Sequence, residues 1–74
     1  MFIISLTINK ENNQEARFEI VKRYLETLGG SCLYDLNSYS LQSYLNDHQF
    51  QNSNIVFLKS MLSVNDSLSI SVLV

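Results

Sequence analysis

A period of two runs through both ends of this sequence and constrains it more than any other feature. In FIISLTI, residues 2–8, Phe2, Ile4, Leu6 and Ile8 fall on one side of an extended chain, and Ile3, Ser5 and Thr7 fall on the other. In SLSISVLV, residues 67–74, Leu68, Ile70, Val72 and Val74 alternate with Ser67, Ser69, Ser71 and Leu73. Each stretch reads as a strand with one buried face. Such a face needs a second layer over it, and the residues between the two strands supply one.

NKENNQEARFEIVKRYLETLGG, residues 9–30, reads as a turn, a helix and a stop. Asn12 is the predicted N-cap, with Glu15 three residues later as its capping-box partner. Phe18, Val21, Leu25 and Leu28 recur at three- and four-residue steps, Ala16 begins the stripe, and Ile20 and Tyr24 widen it. Gly29 suits the left-handed position that ends a helix. The next stretch predicts a hairpin, with strands over 31–36 and 38–45 and Asn37 at the turn, because Asn tolerates positive φ. Tyr39, Leu41, Ser43 and Leu45 share one face of the second hairpin strand, and Ser40, Gln42 and Tyr44 share the other. In the first hairpin strand the phase is open: Cys32, Tyr34 and Leu36 oppose Leu33 and Asp35. Ile55, Leu58, Met61 and Leu62 fit a second helix capped by Asn52 or Ser53, although NIVFL also fits a short buried strand. Residues 46–52 are then loop or a loose first turn.

The order is strand, helix, strand, strand, helix, strand. That is the split βαβ pattern of a ferredoxin-like α+β domain spanning residues 1–74, with two helices on one face of a four-stranded antiparallel sheet. A chain of 74 residues buries only roughly 60% of its unfolded surface, so its stability margin is thin. Cys32 is the only cysteine, so no disulfide framework helps, and a lone thiol fits a reducing compartment. Self-association is one remedy. No run approaches the ~18 apolar residues of a membrane span, and MFIISLTINK lacks a basic leader. A soluble, cytoplasmic protein is expected, with no membrane partner. Five basic residues against seven acidic ones make neither a nucleic-acid footprint nor a DNA-mimicking acidic surface. Lys22 and Arg23, the only adjacent basic pair, read as a solvated helix edge.

Three pieces of the sequence carry a resemblance: the opening strand MFIISLTI, the helix ending in LGG before a strand whose partner reads NSYSLQS, and the last strand NDSLSISVLV. Together they resemble the small ferredoxin-fold proteins related to the CRISPR-associated spacer-integration subunit, a group that includes endoribonuclease-like antitoxins. The resemblance implies the fold and a tendency to dimerise. Nucleases of that group carry an aspartate at the end of the first strand that holds a metal ion across a dimer. The matching position here is Thr7, whose hydroxyl is no substitute for a carboxylate as a hard-cation ligand. Glu11 follows in the turn. The resemblance therefore argues against the nuclease.

Chemistry is sparse elsewhere. Asp47 and His48 are adjacent, but neighbours in a loop rarely face each other, and no nucleophile is tied to them. No serine lies in a nucleophile-elbow context, and no Cys/His cluster has metal spacing, so neither cofactor nor metal is expected. Tyr24 and Tyr39 read as core packing. Tyr34 and Tyr44 read as protein contacts, since base stacking would call for basic neighbours. Ser67, Ser69, Ser71 and Leu73 face away from the core, where small hydroxyls admit a second sheet. The last strand also lacks the Lys, Pro or bulge that usually blunts an edge. These features point to a non-enzymatic protein that binds another macromolecule, most simply a protein, and to a homodimer. Compact single-domain chains of this size resemble phage- or plasmid-encoded inhibitors and antitoxin-like regulators, anti-CRISPR proteins among them. The alternatives are a metal-dependent endoribonuclease and an RNA-binding module using the open sheet face.

Overall fold

The alternating runs form the sheet and the period-3.6 segments cover it. The computed structural model describes residues 1–10 and 13–73. Its elements are β1 (Phe2–Thr7), α1 (Gln14–Thr27), β2 (Ser31–Asp35), β3 (Ser40–Leu45), α2 (Asn52–Met61) and β4 (Ser67–Val72). The strands make one antiparallel sheet in the order β2-β3-β1-β4. This is the ferredoxin-like α+β arrangement, with the first and third strands central.

Register fixes which side chains share a face. Leu6 lies opposite Leu41 and Leu68, and Ile4 opposite Ser43 and Ile70. Cys32 and Tyr34 join that face through Ser43 and Leu41, which settles the phase of β2. Phe18, Val21 and Leu25 of α1 and Leu58 of α2 meet Ile4, Leu6, Ile8, Leu41 and Leu45 in one core. The helices touch through Tyr24 and Phe57, whose rings lie 4.1 Å apart, and Asn54 Nδ2 donates to the Tyr24 hydroxyl at 2.7 Å. Gly30 is required by close approach: a Cβ there would sit 2.6 Å from Leu45 Cδ2 and 2.8 Å from Ser43 Oγ.

Several local expectations are corrected. The Asn12 cap lies outside the described residues. Helix α1 starts after Asn13, which has φ 64° and makes no side-chain cap bond. Ala16 and Ile20 are exposed, because the buried stripe of α1 runs along Phe18, Val21 and Leu25 and is narrower than predicted. The hairpin turn spans residues 36–39, and its positive φ falls on Tyr39, at 50°, rather than on Asn37. Asn37 instead donates its backbone N–H to Asp35 Oδ1 at 2.8 Å. Packing holds Tyr39 in that conformation, with its ring edge-on to Phe18 at 5.5 Å. Residues 52–61 are helical, which excludes the strand alternative for NIVFL. The cap is Gln51, whose N–H donates to Asn54 Oδ1 at 2.8 Å, rather than Asn52 or Ser53. Leu68 and Ile70 pack against the core, whereas Val72, the last residue of this edge strand, is 63% exposed. Val74 lies outside the described residues. Lys22 is no solvated edge: its Nζ sits 4.7 Å over the Tyr34 ring and 3.6 Å from Glu19 Oε1.

Candidate functional site

Both helices occupy one side of the sheet, which leaves the other side bare. Its side chains fall into three rows running across the strands. The first is Asp35, Ser40, Thr7 and Ser67; the second Leu33, Gln42, Ser5 and Ser69; the third Ser31, Tyr44, Ile3 and Ser71. The period-two alternation builds this surface. The positions that send Ile4, Leu6, Leu41 and Leu45 inward send serine, threonine and glutamine outward. A shallow depression of about 550 Å³ lies over the first two rows, with Ser5, Thr7, Ser40 and Gln42 on the central strands, Leu33 and Asp35 on one side and Ser67 and Ser69 on the other. The Leu33 side is apolar, with that residue 62% exposed.

The electrostatics of this face are simple. Asp35 supplies its only carboxylate, no lysine or arginine reaches it from any of the three rows, and the rest are hydroxyls, an amide and apolar groups. Each hydroxyl both donates and accepts, so the face can match many neutral polar partners. It offers no cation to neutralise phosphates.

The residues singled out from the sequence separate into two groups. Ser67, Ser69 and Ser71 are exposed on the open face, Tyr44 is half-buried on the same face across Ile3 of β1, and exposed Leu73 continues the alternation of the serines. Tyr34 does not join them. Its register with Leu41 puts it on the helix side, where Lys22 covers its ring. Thr7 lies in the first row, exposed. Among the described residues, no three His, Cys, Asp or Glu side chains converge as a metal would require. Burial pushes the Cys32 thiol up to about 11, with the Glu26 carboxylate adding to the shift, so thiolate chemistry is suppressed there.

Asp47 and His48 are exposed in the turn after β3. Asp47 Oδ1 accepts a hydrogen bond from the Met1 amino nitrogen at 2.7 Å, so it is spent on a contact other than orienting the imidazole. His48→Ala should therefore shift the unfolding free energy by less than about 0.5 kcal/mol, read by urea titration. A larger loss would give His48 a structural role that its exposure does not suggest.

Two features escaped sequence reading. Phe50, in the polar loop NDHQFQN, is buried and packs on Phe2 with ring centroids 5.4 Å apart. Its signal was an aromatic residue among polar neighbours. The second is Asp66. Its Oδ2 accepts from Arg17 Nη1 at 2.7 Å and from the Ser63 N–H at 2.8 Å, and its Oδ1 accepts from the Asn9 N–H at 2.8 Å. Arg17 Nη1 also donates to the Met61 carbonyl at 3.0 Å. Burial works against ionisation of Asp66, but the hydrogen bonds from Arg17, Ser63 and Asn9 and the guanidinium charge outweigh it, so the pKa falls to about 2. Asp66 is a structural tie, engaged on both oxygens, and no metal ligand.

Comparison with known protein families, with curated proteins and with solved structures returned no match.

Proposed function

We propose that this chain is a non-enzymatic protein-binding module, a small inhibitor or antitoxin-like regulator in kind, which docks its open sheet face against a partner protein. The observation that carries this reading is the composition of that face: ordered rows of hydroxyls beside an exposed leucine, with no cation. A shallow surface of this kind, free of cations, suits a protein interface, where polar groups match one to one around an apolar contact. The missing cations weigh against RNA, whose binding rests on phosphate neutralisation. The lack of converging ligands among the described residues gives the endoribonuclease reading no support, and Thr7 stands where its carboxylate would be needed.

A photo-crosslinker at Ser5, in the middle of the face, tests the idea against one at Val56, which is exposed on α2. The Ser5 probe should capture one protein in cells of the natural host. Ser69→Lys, which adds a charge without touching the core, should reduce that capture at least ~10-fold. Equal capture from Val56 would overturn the assignment. RNA affinity that falls steeply with salt, or RNA cleavage in Mg²⁺ or Mn²⁺, would replace it with one of the other two readings.

A further inference from the structure

The two edges of the sheet differ in what they leave unpaired. Leu73 N–H donates to the Met1 carbonyl at 2.8 Å, and the Met1 nitrogen donates back to the Leu73 carbonyl at 3.3 Å. In an antiparallel ladder, bonded and non-bonded pairs alternate. Continuing the register, Ser71, Ser69 and Ser67 therefore turn their backbone groups inward to Ile3, Ser5 and Thr7. The bond from Ile8 N–H to the Tyr39 carbonyl at 2.9 Å agrees, since it assigns the alternate residues of β1 to β3. The N–H and C=O groups of Leu68, Ile70 and Val72 consequently point out of the sheet. By the same alternation, β2 exposes only those of Cys32 and Tyr34, with Asp35 at its end as a guard charge.

We propose that β4 pairs with β4 of a second copy across a two-fold axis at Ile70, joining two sheets into one of eight strands. The register follows from the outward groups. Centring on Ile70 matches Ile70 with its counterpart and Leu68 with Val72 of the other copy, so each matched pair exchanges two N–H···O bonds. All three outward residues are then satisfied, and shifting the centre leaves some unmatched. Side chains agree with the register. Val72, apolar yet 63% exposed, gains Leu68 opposite it on the helix side, and Ser69 meets Ser71 on the open side. Charge agrees as well. None of the residues from Ser67 to Val72 is ionisable, so two copies of a chain with net charge −2 meet at an uncharged seam. A foreign strand would need no such symmetry; a second copy provides it automatically. The seam is narrow and falls short of the ~1,200 Å² of stable complexes, so association belongs in the micromolar range. The inference uses the edge and leaves the open face free, so it and the proposed function can fail separately.

Sedimentation equilibrium of the full chain from low to high micromolar concentration should show a monomer–dimer equilibrium. A chemically synthesised chain with an N-methyl amide at Ile70 loses an outward donor and leaves the β1–β4 bonds intact. It should associate roughly 10- to 100-fold more weakly with an unchanged circular dichroism spectrum. Register is read separately. Ser69→Cys and Ser71→Cys proteins, each also carrying Cys32→Ala, are mixed and air-oxidised. They should form the mixed disulfide in preference to either homodimer, because the 69–71 pair is a non-bonded pair with Cα atoms ~4.5 Å apart. A monomer at every concentration overturns the proposal. So does a dimer indifferent to N-methylation, or homodisulfides that form as readily as the mixed one.

Discussion

Asp66→Ala should lower the unfolding free energy by about 3–5 kcal/mol, the usual cost of removing one partner from a buried ion pair. A domain of this length has only about 4–11 kcal/mol in total, so the loss is a large fraction of it. The Asp66 side chain is fully buried and that of Arg17 is 19% exposed. Removal takes the buried carboxylate away from Arg17 and leaves the Asn9 and Ser63 N–H groups without the acceptor they use. Urea denaturation followed by circular dichroism measures it, and a loss below about 1 kcal/mol would show that the tie is dispensable. The pH dependence gives a second check. The Asp66 pKa of about 2 lies below its ordinary 3.8. A depressed carboxylate contributes stability that is present above the ordinary value and is lost as pH falls toward the folded one. Wild type should lose about 2 kcal/mol from this group between roughly pH 5 and pH 2. Asp66→Asn, which titrates nothing there, should show a correspondingly flatter profile.

Leu25→Ala and Leu6→Ala should each cost about 2–5 kcal/mol. Leu25 is fully buried and Leu6 is 2% exposed, and they meet from opposite layers, so either truncation opens a cavity that the rigid sheet cannot close. Leu33→Ala is the matched control. The same atoms leave an open-face position that is 62% exposed, and the cost should stay under about 1 kcal/mol. Thermal or urea unfolding of the three proteins compares them directly. Equal losses would mean that the two faces of the sheet have been exchanged.

Faces were legible in the sequence wherever alternation was strict. Phe2 to Ile8 and Ser40 to Leu45 announced their inward and outward sides, and α1 announced Phe18, Val21 and Leu25. The open face was legible for the same reason, since Ser67, Ser69 and Ser71 are the complement of Leu68 and Ile70. Tyr34 was not, because Ser31 to Asp35 lacks a clean period and its phase comes only from pairing with β3. Tyr39 packs on the core as its sequence suggests, but the positive φ of the hairpin was not legible at it: a packed ring can hold a φ that local preference assigns to Asn37. Asp66 was invisible as a tie because its partners come from Asn9, Arg17 and Ser63, and nothing in local sequence brings these together. The polar turn NDS looked like a turn, which it is, and concealed a buried carboxylate.

The strand order also sets when this chain can fold during its synthesis. β1 precedes the other five elements described yet lies between β3 and β4, and β4 is the last of them. Before β4 is made, β1 has an open flank, and the Arg17–Asp66 ion pair cannot form until Asp66, next to β4, is made. The nascent chain therefore carries an apolar strand, Phe2 to Thr7, paired on one side at most, until β4 has been made. Contacts between the two ends of a chain are slow to form, and unpaired strands are the segments that chaperones shield and that aggregate when crowded. The stretch between β1 and β4 is short enough to limit that exposure to seconds at ordinary elongation rates of ~5–20 residues per second.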